Sequence, residues 1–406
     1  YTIEDIPAAW RDFLKSGFYT TPWEGGWWRM GDAVEYCLTA SKAVLDVTAR
    51  YREEMLLSKY RLARANIERF EAEAPYGWVF PTDQRDEFAL AELLDKFDLL
   101  GVEVYTAGSD FEVAGRSFPR GTVVVPTSQA FGGFVKTLLE RQEYPDLREK
   151  THLWQAVPRR IEVESGPLRP YDVAGWTLSL QMGLEAVELD RPASAVPLVR
   201  STGLQVERGL SSEEDPPGSG RVAVYRPWQA SMDEGWIRWI LDHYGFPQTE
   251  LRNDRVRAGD LKAEFDAIVI PSVRDSAILV GNAEGRVPPQ YVGGIGDEGV
   301  EALKAFAREG GTLLFHDRST DLAIGAFDLP VRVVTDEARE SGFYSAGSIL
   351  RFSWVPDSPL TRGMDTDGVA FVSSRASLFE ITGPGEDLVG DPKPLGWFPE
   401  EGPLLL

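Results

Sequence analysis

The stretch Phe265-Asp266-Ala267-Ile268-Val269-Ile270-Pro271 decides how the C-terminal half of this 406-residue chain is read. Its apolar run does not alternate with polar residues, and it is bounded by an aspartate and a proline. That pattern predicts a strand buried on both faces, the habit of parallel sheets covered by helices. Val222-Ala223-Val224-Tyr225 reads the same way, and Thr312-Leu313-Leu314-Phe315 reads as a third strand. Between them lie helix signals. Ser231-Met232-Asp233-Glu234 predicts a capping box, in which the serine oxygen accepts a first-turn N–H and Glu234 reaches back to the serine N–H. The helix behind it would set Trp236, Trp239, Ile240 and His243 on one side and end at Gly245. A second helix is expected over 298–308, closed by Gly310-Gly311. Strands alternating with helices predict a doubly wound parallel sheet across 221–406.

Working upstream, Ser211-Ser212-Glu213-Glu214-Asp215-Pro216-Pro217-Gly218-Ser219-Gly220 is charged, then rich in Pro and Gly, and marks a linker over 201–220. Residues 74–200 read as a small α/β domain. Gly77-Trp78-Val79-Phe80-Pro81 and Val102-Glu103-Val104-Tyr105 are expected strands. A helix over 85–100 lies between them, with Phe88, Leu90, Ala91, Leu94, Phe97 and Leu99 as apolar positions and Gly101 as its stop. Together they suggest a βαβ unit. Thr122-Val123-Val124-Val125-Pro126 is a third strand, buried on both faces, and a helix follows over 130–141. Residues 1–73 are aromatic and irregular as far as Gly26, then helical. Val34, Cys37, Leu38, Ser41, Val44, Leu45, Thr48, Tyr51 and Met55 keep a 3.6-residue period, and a further helix is expected over 58–72 before Pro75.

Composition excludes some functions. A net charge of −22 argues against binding DNA, RNA or an anionic membrane, all of which demand clustered Lys and Arg. No Asp-x-Asp-x-Asp-Gly loop suggests calcium binding, and the excess acid is expected to be solvated surface. A single cysteine, Cys37, rules out an intrachain disulfide, and its apolar neighbours predict a buried small hydrophobe. No apolar run reaches membrane-span length. The first residue is Tyr1, with no signal peptide behind it, and Pro403-Leu404-Leu405-Leu406 ends abruptly. A chain cut from a longer one is expected.

Three motifs carry a family resemblance. They are Trp23-Glu24-Gly25-Gly26-Trp27-Trp28-Arg29-Met30-Gly31-Asp32-Ala33-Val34-Glu35-Tyr36, Pro170-Tyr171-Asp172-Val173-Ala174-Gly175-Trp176-Thr177-Leu178, and Tyr225-Arg226-Pro227-Trp228 with Ser231-Met232-Asp233-Glu234-Gly235-Trp236. In these the chain resembles the back half of large bacterial M14 metallocarboxypeptidase-like proteins. The resemblance implies a secreted or periplasmic zinc hydrolase that removes C-terminal residues from peptides. It implies that residues 1–73 are the end of a carboxypeptidase domain, with the zinc ligands and catalytic glutamate upstream of Tyr1. It also implies a class I glutamine amidotransferase-like, flavodoxin-like domain over 221–406.

The zinc signature of that class, His-x-x-Glu, is absent from this chain. His152 is followed by Leu-Trp-Gln, His243 by Tyr-Gly-Phe and His316 by Asp-Arg-Ser. No cofactor is expected here, and zinc is expected only in the parent protein. Amidotransferase-like domains place a nucleophilic cysteine on the turn after a strand of the 312–315 kind. Here that turn carries His316-Asp317-Arg318, so the domain reads as catalytically silent. His316 and Asp317 are nonetheless a candidate ligand site, since open α/β sheets bind ligands beyond the carboxyl ends of their strands. Asp172 is read as a cap or turn residue. The Trp27-Trp28 pair is read as core or interface packing, not as a sugar platform. Gly294-Ile295-Gly296-Asp297-Glu298-Gly299 matches a dinucleotide fingerprint, but two prolines precede it where a strand is required. A tight turn is expected instead, with Asp297 capping the helix. The leading expectation is a non-catalytic accessory region whose partner is an upstream catalytic domain, with peptide as the parent protein's substrate. The alternative is a stand-alone binding or self-assembling structural protein with a degenerate enzyme fold.

Overall fold

Two long helices lead the chain, α1 (Met30–Arg50) and α2 (Arg52–Ala72), separated by Tyr51 alone. They belong to a computed structural model that describes residues 1–6, 11, 13–14, 21–142, 173–201, 220–341, 345, 347–356, 358–362, 364, 366–373, 376–383 and 392–399. His152, Asp172, the chain end at 400–406 and all but the end residues of the 201–220 linker lie outside these. In α1 the Arg29 N–H donates to Asp32 Oδ2 at 2.7 Å, closing the first turn, and Arg50 pairs with Asp46 at 2.9 Å. The second helix starts earlier than position 58, with Glu53 and Glu54 in its first turn, where the helix dipole favours acids.

The periodic face of α1 is not covered. It has no buried residue, and Val34, Leu38, Val44 and Leu45 are all exposed. Cys37 is an exposed free thiol, against the expectation of a buried one. The period predicts that a face is apolar; it does not say what covers it. Trp27 and Trp28 are likewise exposed, at 82% and 41%, so they are not core residues. Among the described residues the anchored part of α2 is its end: Phe70 is buried, and Asn66 Nδ2 donates to the Ala130 carbonyl at 3.1 Å.

The middle segment is built on a five-stranded sheet. Its elements are β1 (Gly77–Phe80), α3 (Glu87–Leu100), β2 (Tyr105–Ala107), β3 (Phe111–Val113), β4 (Arg116–Phe118), β5 (Val123–Pro126), α4 (Gly132–Leu139), α5 (Leu178–Gln181), β6 (Val187–Glu188) and β7 (Leu198–Arg200). The order is β6-β1-β5-β2-β7, and β5 runs antiparallel to both β1 and β2. The expected βαβ unit is therefore split: β1 and β2 are parallel, with β5 inserted between them. All four residues of β5 are buried, as its sequence predicts. Val123 and Val125 pack with Phe80, Leu93, Leu94, Phe97 and Val135, while Val124 faces Val79, Val113, Phe118 and Leu189. A central antiparallel strand covered on both faces needs the same continuous apolar run as a parallel one. In α3, Ala91, Leu94 and Phe97 are buried as expected. Leu93 joins them, whereas Phe88 and Leu99 face solvent at 38% and 85%. Gly101 ends the helix at φ 79°, a left-handed stop.

The C-terminal half contains a sheet of four parallel strands. Its elements are β8 (Val222–Tyr225), α6 (Met232–His243), β9 (Gln248–Leu251), α7 (Asn253–Arg257), α8 (Leu261–Glu264), β10 (Ala267–Ile270), α9 (Asp275–Leu279), α10 (Gly296–Arg308), β11 (Thr312–Phe315) and α11 (Thr320–Phe327). The order β9-β8-β10-β11 and the pairing of each neighbour are parallel throughout. Ala223, Tyr225, Ile268 and Ile270 meet Val256, Leu261, Leu303 and Phe306 on one face. Val224 and Val269 alternate to the other, along which α6 runs against β8 and β9. β11 is an edge strand, with Leu314 43% exposed. On α6, Trp236, Trp239 and Ile240 are 46–57% exposed instead of packing as a core stripe.

Beyond α11 the chain changes character. The remaining elements are β12 (Val331–Val333), α12 (Thr335–Glu340), β13 (Ser348–Trp354), β14 (Asp367–Val372), β15 (Phe379–Ile381) and β16 (Gly396–Trp397). The strands pair antiparallel, as β12-β15 and β14-β13-β16. The doubly wound reading of 221–406 is thus corrected: among the described residues the parallel sheet stops at β11. No helix among the described residues is long and apolar enough to cross a membrane.

Candidate functional site

Order β9-β8-β10-β11 places a switch between β8 and β10, since the chain leaves β8 toward one edge and β10 toward the other. Ligand crevices in open α/β sheets form at such carboxyl edges. His316 follows β11 there, and its N–H donates to the Ile270 carbonyl at 3.0 Å, extending the parallel ladder by one rung. The buried Ser319 hydroxyl donates to the carbonyls of Ile270 and His316, both at 3.0 Å. This staple fixes the turn.

Asp317 sits on that turn at φ 46°, a left-handed conformation that aspartate tolerates better than most residues. Ser272 donates to its Oδ2 at 2.7 Å and Ser377 to its Oδ1 at 3.4 Å. Its backbone carbonyl accepts the Thr320 hydroxyl. Ala114, Thr177, Asp260 and Asp328 share the positive φ, so the strain is not particular to this turn. Asp317→Ala is expected to destabilise the protein by about 1–2 kcal/mol, while Asp317→Asn stays within about 0.5 kcal/mol of the parent. Urea unfolding of both variants checks the ranking; equal losses would mean that the side chain does not hold the turn.

The structure brings His316 and Asp317 to the carboxyl edge but gives their side chains different surroundings. Partial burial of the imidazole pushes the His316 pKa below its ordinary 6.5, and the charge of Asp233 pulls it partly back. A histidine with a depressed folded pKa binds fewer protons folded than unfolded. Its contribution to stability is complete above about pH 6.5, the unfolded value, and is lost as pH falls through the folded pKa. The residue keeps solvent contact, so the effect is clearest in its own titration. A proton NMR titration is expected to place the His316 midpoint below 6.5.

No thiol lies on the turn, and the Ser319 hydroxyl is committed to backbone carbonyls, as the Ser272 hydroxyl is to Asp317. This constellation can hold a polar ligand, but it pairs no nucleophile with a base. Among the described residues no group of three or more His, Cys, Asp or Glu side chains is placed to hold a metal ion.

Two expectations about helix starts change. Ser231 does cap α6, its oxygen accepting from the Glu234 N–H at 3.2 Å. Glu234 does not reach back, however. Its carboxylate is buried and accepts from Arg238 Nε at 2.9 Å, with Arg226 at 3.7 Å. The Gly294-Ile295-Gly296 turn opens α10 without a side-chain cap, so Asp297 only contributes charge to the first turn. The glycines serve close packing: a Cβ on Gly294 would lie 2.3 Å from the Ile278 carbonyl oxygen. Asn253 Nδ2 donates to the Gly293 carbonyl at 3.0 Å and its Oδ1 accepts the buried Tyr225 hydroxyl at 2.7 Å. Burial pushes that phenol's pKa well up.

Sequence reasoning missed an arginine cluster beside this edge. Arg226 follows β8, Arg252 follows β9 and Arg238 lies on α6; they meet around Glu234 and Glu250. The aromatic motif around Trp228 was its one visible signal. No family profile matches this chain, and no curated protein matches it.

Proposed function

We propose that this chain is a non-catalytic accessory region that works against a zinc carboxypeptidase domain of the M14 kind. The observation that carries the reading is the uncovered face of α1. Val34, Val44 and Leu45 are 56–69% exposed, and Trp23, Trp28 and Tyr36 form an aromatic cluster at the start of the helix, with ring centroids 5.1–5.9 Å apart. An exposed apolar helix face and an exposed aromatic cluster at the start of the same helix suit contact with another folded body. The His316-Asp317-Arg318 turn, with no thiol, supports a silent amidotransferase-like, flavodoxin-like domain behind it. The zinc and the general base of peptide hydrolysis would then sit on the catalytic domain. The parallel-sheet and middle segments would hold that domain or shape access to it.

The test uses Cys37 on the exposed face. In the 406-residue chain alone, the thiol is expected to react fully and quickly with a thiol reagent, while the chain binds no stoichiometric zinc and cleaves no peptide. Joined to a carboxypeptidase domain of that class, the same thiol should become protected. One zinc per isolated chain would sink the proposal. Protection of Cys37 in the isolated chain, together with a doubled mass in light scattering, would replace it by self-association.

A further inference from the structure

The motif Tyr225-Arg226-Pro227-Trp228 with Ser231-Met232-Asp233-Glu234-Gly235-Trp236 reaches the turn at His316 through the charge of Asp233. Its Arg226, Trp228 and Glu234 line a cleft of about 570 Å³, together with Arg238, Arg252 and Tyr291. That volume is ordinary for a small-molecule site.

The cleft is built, not incidental. Glu234 is 5% exposed and anchors Arg238 at 2.9 Å, so a buried carboxylate holds the guanidinium in place. Glu250, a solvent-exposed carboxylate, pairs with both Arg226 and Arg252. The Arg252 guanidinium lies 4.0 Å from the Trp228 ring centroid, and Tyr291 meets that indole edge-on at 4.8 Å. The wall is therefore aromatic and preorganised.

Charge selects the ligand. Three guanidiniums face two carboxylates, leaving one positive charge in excess. A carboxylate balances it, whereas a phosphate dianion would overshoot beside Glu234 and Glu250. Among the described residues, Arg238 uses Nε for Glu234 and leaves both terminal amino groups without a hydrogen bond. Two parallel N–H donors in one plane match the two oxygens of a carboxylate. The Trp228–Tyr291 wall offers stacking area to a flat ring.

We infer that this cleft binds a small aromatic carboxylate, its carboxylate on Arg238 and its ring on the Trp228–Tyr291 wall. The inference stands independently of the carboxypeptidase reading. The experiment titrates the full 406-residue chain with benzoate and follows the Trp228 indole N–H by NMR, assigned with Trp228→Phe. Saturable shifts with a Kd of about 1 mM are expected. Arg238→Lys keeps the pairing with Glu234 but loses the planar fork, and should weaken benzoate about tenfold. Acetate and phenyl phosphate should each bind about tenfold more weakly than benzoate. The inference is overturned by no saturable shift in the parent chain, by unchanged affinity in folded Arg238→Lys, or by acetate or phenyl phosphate matching benzoate. Should Arg238→Lys fail to fold, the parent-chain series with the three anions decides alone.

Discussion

Truncating Phe306 to alanine is expected to lower the stability of the parallel-sheet half by about 3–5 kcal/mol. The ring is 1% exposed and belongs to the core formed by Ala223, Ile268, Leu261 and Leu303. It also lies over Gly311, where an added Cβ would come within 2.4 Å of its Cε1 and Cζ atoms. A residue with backbone on one side and three other elements in the same core has little room to collapse, so the cavity stays open and the upper part of the range applies. Phe306→Leu refills most of the volume and should cost less than about 1.5 kcal/mol. Hydrogen exchange resolves where the loss falls: amides of β8 and β10 should lose protection, and those of β5 should keep theirs. Equal losses in both sheets would show that the halves unfold as one.

Gly132→Ala is the second large effect. The glycine opens α4, and a Cβ there would lie 1.8 Å from the Thr127 carbonyl oxygen and 2.9 Å from Phe70 Cδ2. No rotamer change relieves an overlap with backbone, so α4 must shift. We expect a loss of about 3 kcal/mol from the middle segment. The shift should also free the end of α2, because Phe70 and the Asn66 contact to Ala130 are its anchors. Limited proteolysis reads this directly: cleavage between α2 and β1 should speed up in Gly132→Ala and not in Phe306→Ala. A variant as stable as the parent would mean that the two helices do not meet this closely.

Much of the fold was legible where burial is two-sided. Val123–Val125, Val222–Tyr225 and Ala267–Ile270 are continuous apolar runs, and each is a buried strand. Helix stops at Gly101 and Gly245 were equally readable, because each takes a positive φ that glycine adopts without strain. β9 escaped notice. Its Gln248-Thr249-Glu250-Leu251 is polar because it is an edge strand with only Leu251 buried. The antiparallel insertion of β5 was beyond reach for another reason: strand pairing across about 45 residues leaves no periodic trace in either strand.

The candidate site was half legible. The turn after β11 follows from strand position alone, and His316 and Asp317 lie on it. Their partners Ser272 and Ser377 come from other loops, and nothing local points to them. The arginine cleft needed Arg226, Arg238 and Arg252 to be gathered from three elements. Glu234 misled because its spacing from Ser231 fits a capping box, yet two guanidiniums offer a buried carboxylate more than one backbone N–H does.

The inserted strand also governs the order in which the middle sheet can form during synthesis. β1 leaves the ribosome first, but its pairing partners are β5 and β6, which follow about 45 and 110 residues later. β2 waits likewise for β5 and β7. Neither early strand can find the other directly, since the space between them belongs to β5. The nascent chain therefore carries two strands without neighbours until Val123–Pro126 emerges, and the sheet gains its outer edges only when Leu198–Arg200 arrives. Assembly of this segment is a late, long-range closure, and its slow step is set by chain connectivity more than by the strength of any contact.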